Sequence, residues 1–168
     1  VLGSIPAMFA VQVARTPDAV AMTCGGLQWT YRELDEASNR LAHVLAERGA
    51  AAGRTVALLL PRSADAIVAI LAVVKTGAAY LPIDPAHPDA RVSFVVADAG
   101  PVVGVSTAEL RARLGSQMPI VQVDDAAVVA APDAAFDVLD RVLDRARACI
   151  AAELLGVIGE AFDRTVAY

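Results

Sequence analysis

Apolar residues recur along the first 125 positions in two alternating spacings. Met8, Phe9, Val11 and Val13 form the apolar side of a first helix, placed to be capped by Ser4 and to end near Thr16-Pro17. Short apolar runs, Ala19 to Thr23 and Leu27 to Thr30, flank Gly25-Gly26, a two-residue turn of the hairpin kind. Thr30-Tyr31-Arg32-Glu33 then fits a capping box, in which hydroxyl and carboxylate each satisfy an orphan backbone N–H. The helix it opens carries Leu34, Ala37, Leu41, Val44 and Leu45 on one stripe and stops at Gly49.

From Thr55 to Leu60 the pattern becomes a continuous apolar run between Gly53 and Pro61, as expected of a strand covered on both faces. Ser63 caps the next helix, whose Ile67, Val68, Ile70, Leu71, Val73 and Val74 leave almost no polar side. Such a helix must lie between the sheet and a further layer. Lys75 falls in its last turn, where a positive charge suits the helix dipole. Gly77 ends the helix, Ala79 to Ile83 reads as a strand, and Pro82, Pro85 and Pro88 punctuate the exit. A helix from Pro88 to about Ala99 follows, with proline at its first position. Val102 to Ser106, a helix from Thr107 to Leu114, and a strand from Ile120 to Val123 continue the alternation. Strand and helix alternating with short links predict an α/β fold: a layered, largely parallel sheet with flanking helices and right-handed crossovers.

The pattern changes after Asp124-Asp125. Residues 126–132 form an alanine- and valine-rich link, and residues 133–168 keep one helical spacing through Phe136, Leu139, Leu143, Ala146, Ile150, Leu154, Ile158 and Phe162. Asp137 with Arg141, and Glu160 with Arg164, are i,i+4 pairs in the favourable orientation. The expected element is a helix of about nine turns. Its stripe calls for partner helices, so it is expected to be either an oligomerisation element or a piece of a helix bundle, and its candidate partners are a second copy or a protein docked on this helix.

Composition narrows the function classes. The formal charge of -5 argues against nucleic acid, and no block of Lys or Arg suits an anionic membrane surface. Cys24 and Cys149 have neither metal-ligand spacing nor a disulfide framework, and each reads as a small buried hydrophobe in a reducing compartment. The start of the chain lacks the features of a signal peptide, and the most apolar run, Ala64 to Val74, is too short to cross a bilayer. The expectation is a cytoplasmic protein.

Candidate chemistry is sparse. His87, in the proline-rich loop, has no partner spacing for acid–base work and is read as a neighbour of a helix N-cap. His43 is read as a surface or boundary residue. Asp124 and Asp125 are read as a solvated loop. Asp84 ends a strand of an α/β sheet, where ligands usually bind, but a carboxylate fixing a turn or capping the next helix is the preferred reading. Gly25-Gly26 is too short to cradle a phosphate. No residue is assigned a catalytic, cofactor-binding or metal-binding role.

Two stretches carry a family resemblance. W-T-Y-R-E-L, Trp29 to Leu34, resembles the first core motif of nonribosomal peptide synthetase adenylation domains, with Trp29 where leucine is usual. V-K-T-G-A-A-Y-L-P-I-D, Val74 to Asp84, closely resembles the second, and P-D-A-V-A-M and P-A-H-P-D-A-R extend the likeness. The resemblance covers residues 5 to about 125 and implies part of an N-terminal adenylation subdomain. The family activates an amino acid with Mg-ATP and passes the acyl group to a phosphopantetheinyl carrier protein. That activity requires a Gly/Ser/Thr-rich phosphate loop with a lysine, acidic residues for magnesium and ribose, and a second lysine from the C-terminal subdomain. The sequence contains no such loop, and its only lysine, Lys75, belongs to the second motif. The resemblance therefore implies a scaffold segment, inactive alone and needing no cofactor of its own. The tail, Ala148 to Tyr168, resembles the first helix of the C-terminal bundle of acyl-CoA dehydrogenases. The alternatives are thus an interaction module working through residues 133–168, or a fragment of a flavin-linked dehydrogenase.

Overall fold

The computed structural model describes residues 4–125. The expected 126–132 link, the 133–168 helix with its acyl-CoA dehydrogenase resemblance, and Cys149 lie outside them. Ser4 caps the first helix, α1 (Ile5–Arg15), by accepting the Ala7 N–H. Strands β1 (Val20–Cys24) and β2 (Leu27–Thr30) form the expected antiparallel hairpin. Gly25 and Gly26 have φ of 57° and 82°, the left-handed geometry that a tight two-residue turn requires of both central residues. Cys24 is a free, half-buried thiol in β1, more accessible than the expected core position.

The capping box is fully formed at the start of α2 (Tyr31–Glu47). Thr30 Oγ1 accepts the Glu33 N–H at 3.2 Å, and Glu33 Oε2 accepts the Thr30 N–H at 2.8 Å. Leu34, Leu41 and Leu45 of the expected stripe are buried. After β3 (Thr55–Leu59), Ser63 caps α3 (Ala64–Lys75) by accepting the Ala66 N–H. Then come β4 (Ala79–Ile83), α4 (Asp89–Ala99), β5 (Val103–Ser106), a 3₁₀ turn at Arg111–Leu114, and β6 (Ile120–Gln122).

The last four strands make one parallel sheet in the order β4-β3-β5-β6. The uninterrupted apolar run of β3 has a direct cause, since alternate residues of a strand face opposite sides. Val56 and Leu58 pack with Leu41, Leu45, Val68, Ala72 and Val105, beneath α2 and α3. Ala57 and Leu59 pack on the other face with Ile83, Val92, Val96 and Leu114, beneath α4 and the 3₁₀ turn. Helix α3 lies between the sheet and a layer formed by α2 and α1, as its nearly all-apolar surface demands. Gly104 gives the buried Leu114 room: a Cβ there would meet Leu114 Cδ1 at 2.8 Å, so that side chain would have to shift.

Two expected elements differ. The segment from Thr107 to Leu114 contains a 3₁₀ turn over Arg111–Leu114 in place of a full helix. Its start is held in a turn, with the Ala108 N–H on the Asp124 carboxylate and the Leu110 N–H on Thr107 Oγ1. Gly115, at φ 76°, stops it, leaving room for one tight coil. Pro88 is the N-cap of α4 and not its first helical residue. It is extended (φ -59°, ψ 150°) and offers no side-chain cap, so Asp89 supplies the negative charge of the first turn.

Thr30→Ala is expected to destabilise the fold by about 1 kcal/mol, measured as a shift in the urea midpoint with unchanged slope. Hydrogen bonds from the Thr30 backbone and hydroxyl hold the Glu33 carboxyl below its ordinary value of 4.5. Its contribution is present above that value and lost as pH falls through the folded-state pKa. Glu33→Gln is therefore expected to flatten the loss of stability below pH 4.5, and an unchanged acid limb in pH-resolved denaturation would contradict it.

Candidate functional site

In parallel α/β sheets ligands usually bind beyond the carboxyl ends of the strands. Here the registers Leu59↔Ile83, Leu59↔Ser106 and Ser106↔Gln122 bring those ends to one edge. The polar side chains there shape loops. Asp84 Oδ1 accepts the Ala86 N–H at 2.8 Å, which fixes a turn and leaves the α4 cap to Pro88. Asp124 takes the Ala108 N–H on both oxygens at 3.0 Å, and Asp125 is exposed. Ser106 is fully buried and donates to the Leu59 carbonyl at 3.1 Å, stitching β5 to β3. Among the described residues no group of three or more His, Cys, Asp or Glu could hold a metal ion.

The histidines stand apart. His87 is exposed, and its carbonyl accepts a hydrogen bond from Arg113. His43 is a boundary residue on α2, with Nε2 3.2 Å from Glu47 Oε1 and Nδ1 buried without a hydrogen-bond partner. A shallow hollow lies between Trp29, Arg40, Leu41, Asp65, Val68 and Val123, but no nucleophile or phosphate-binding loop faces it.

The concentrated polar chemistry lies inside the fold, at Lys75. Lys75 lies in the last turn of α3, as expected, and its side chain is only 5% exposed. Lys75 Nζ donates to Asp35 Oδ1 at 2.7 Å, Ser38 Oγ at 2.7 Å and Asn39 Oδ1 at 2.6 Å, with the Asp35 carbonyl at 3.2 Å. Asn39 Nδ2 donates to Asp35 Oδ2 at 3.1 Å, which closes a ring of three side chains. The Ser38 hydroxyl in turn donates to the Leu34 carbonyl at 2.7 Å. The Phe9 ring of α1 lies 5.4 Å from Nζ, over the ammonium. Burial pushes the Lys75 pKa down, and the Asp35 carboxylate opposes that shift. Buried and with every ammonium proton engaged, Lys75 fastens α3 to α2.

The sequence carried a signal for the cluster. Ser38 interrupts the stripe running from Leu34 to Leu41, and Lys75 lies four residues after buried Leu71. Polar residues on the inward sides of two neighbouring helices must find each other. Arg113 was legible only in three dimensions. It reaches Asp89 Oδ1 at 2.6 Å and the Pro85 carbonyl at 2.7 Å, and also the His87 carbonyl, clasping the proline loop to the 3₁₀ turn.

Removing the ammonium leaves Asp35 and Asn39 without their shared partner. Lys75→Met is expected to cost about 3 kcal/mol in chemical denaturation. Because the folded-state pKa lies below the ordinary 10.5, the unfolded chain holds the proton to higher pH. Stability therefore gains from this group as pH rises through that interval, and the gain should vanish in Lys75→Met. Arg113→Ala is expected to cost about 1–3 kcal/mol through the lost charged hydrogen bonds to loop carbonyls.

Comparison with known proteins agrees with this architecture. The family of AMP-binding enzymes matches residues 9–151. The isonitrile lipopeptide synthase of Mycobacterium tuberculosis is 62% identical over 124 residues, which cover 73% of this chain and 5% of that synthase. Among solved structures, the nonribosomal peptide synthetase FmoA3 with α-methyl-L-serine-AMP bound superposes with a TM-score of 0.71 at 31% identity, covering 77% of this chain and 15% of that one. The N-terminal subdomain of Klebsiella oxytoca NpsA, in complex with 3-hydroxybenzoyl-AMSN, gives a TM-score of 0.67 at 26% identity, over 77% of this chain and 32% of the subdomain. The chain thus spans about a twentieth of that curated relative and about a third of a solved N-terminal subdomain. It belongs to the AMP-binding enzyme family, as an N-terminal portion of a nonribosomal peptide synthetase adenylation domain.

Proposed function

We propose that residues 5–125 serve as the opening scaffold of an amino-acid-activating adenylation domain and hold no part of the reaction themselves. In the parent reaction an amino-acid carboxylate oxygen attacks the α-phosphorus of Mg-ATP. The bond to pyrophosphate breaks, an aminoacyl adenylate forms, and a carrier-protein thiol then takes the acyl group with release of AMP. The observation that carries the scaffold reading is the use made of the second core motif, Val74 to Asp84. Its lysine is consumed in a buried ring with Asp35, Ser38 and Asn39, and its aspartate is consumed in a turn. Lys75 is therefore not available to a phosphate, and Asp84 shapes the loop that follows the strand. The nucleotide- and amino-acid-binding groups would come from other parts of the domain, and the amino acid selected would be set there.

Magnesium-dependent ATP–pyrophosphate exchange across a panel of amino acids tests this. The purified chain is expected to stay at background, whereas robust exchange would overturn the proposal. A complementary graft replaces the homologous segment of an active adenylation domain with residues 5–125. Exchange and amino-acid preference should persist, and a folded graft with altered preference would place selectivity in this segment.

A further inference from the structure

Strand β4 forms one edge of the parallel sheet, paired on one side with β3 and, among the described residues, with no strand on the other. In a parallel pair the N–H and C=O of one residue point to the same side, and successive residues point to opposite sides. The Ala79 N–H donates to the Arg54 carbonyl at 2.8 Å, so Ala79, Leu81 and Ile83 address β3. Tyr80 and Pro82 therefore address the edge that no described strand pairs. Proline has no N–H, so the edge offers one donor within the strand, that of Tyr80. Each flanking outward position has one backbone group engaged. The Ala78 N–H is bonded to Thr76 Oγ1 at 3.3 Å, and the Asp84 carbonyl accepts the His87 N–H at 3.0 Å.

An edge with apolar, exposed side chains is otherwise a template for another strand. Tyr80 is 43% exposed and Pro82 is exposed as well. We propose that Pro82 closes this edge, denying a second copy of the chain a strand-addition site at β4. An incoming strand would leave a carbonyl facing the proline ring without a donor, and the His87 and Thr76 bonds would stop it from sliding past. Any partner meeting this edge would do so through the Tyr80 and Pro82 side chains and not through a backbone ladder.

The test restores the missing donor. Light scattering over a concentration series compares the chain with Pro82→Val, and amide exchange is followed at Tyr80. In the unsubstituted chain the Tyr80 amide should exchange freely. Pro82→Val should associate with rising concentration towards a doubling of the 17.4 kDa mass, with the Tyr80 amide becoming protected. Adding Tyr80→Pro to that variant should remove the extra association. A folded Pro82→Val that keeps the parent's mass at all concentrations would overturn the proposal. So would a protected Tyr80 amide in the unsubstituted chain, because the edge would then already be paired. Should Pro82→Val fail to fold, Pro82→Ala and the exchange rate in the unsubstituted chain decide between the same outcomes.

Discussion

An ammonium group taken out of water costs several kcal/mol unless its charge and its protons are matched where it comes to rest. That constraint governs how α2 and α3 meet. Lys75 brings three protons, and α2 presents acceptors one turn apart in Asp35, Ser38 and Asn39, so the helices have one depth and one rotation that satisfy all of them. Apolar packing between Leu41, Leu45, Val68 and Ala72 would tolerate small slips, but the ring of polar contacts would not. Phe9 closes the cluster from α1, and an aromatic contact with Tyr31 at 5.9 Å ties that helix to the start of α2.

The rest of the described fold hangs on this fixed pair. With α3 set against α2, β3 and β4 on either side of it take their places in the sheet, and β5 and β6 extend it on the far side of β3. The opposite face is held by fewer apolar residues, and there Arg113 supplies the tie between the proline loop and the 3₁₀ turn. The polar residues at the carboxyl edge of the sheet, Asp84, Thr107 and Asp124, are used in turns. This use of the polar residues is what supports the scaffold role proposed above.

Much of this was legible in the sequence because the signals were local. The capping box at Thr30 and Glu33, the paired glycines and the apolar run of β3 each define their geometry within a few residues. The α/β layering followed from their order. What the sequence did not show lay where a local explanation sufficed but a distant contact dominated. Lys75 suits a helix C-terminus by charge alone, yet its partners lie 36 to 40 residues earlier. Thr107 to Leu114 has helix-compatible residues, but Asp124 and Gly115 confine it to a tight coil. Arg113 finds loop carbonyls, which leave no trace in side-chain patterning.

A double-mutant cycle between Asp35 and Lys75 measures whether the ammonium–carboxylate contact fixes how α2 meets α3. Asp35→Ala, Lys75→Ala and the double variant are compared with the parent chain in urea denaturation. A charged hydrogen bond in this setting predicts a coupling of about 1.5–3 kcal/mol, the double variant losing less than the two single losses combined. Losses that add to within about 0.5 kcal/mol would mean that the two residues act independently and that apolar packing alone sets the helix pair.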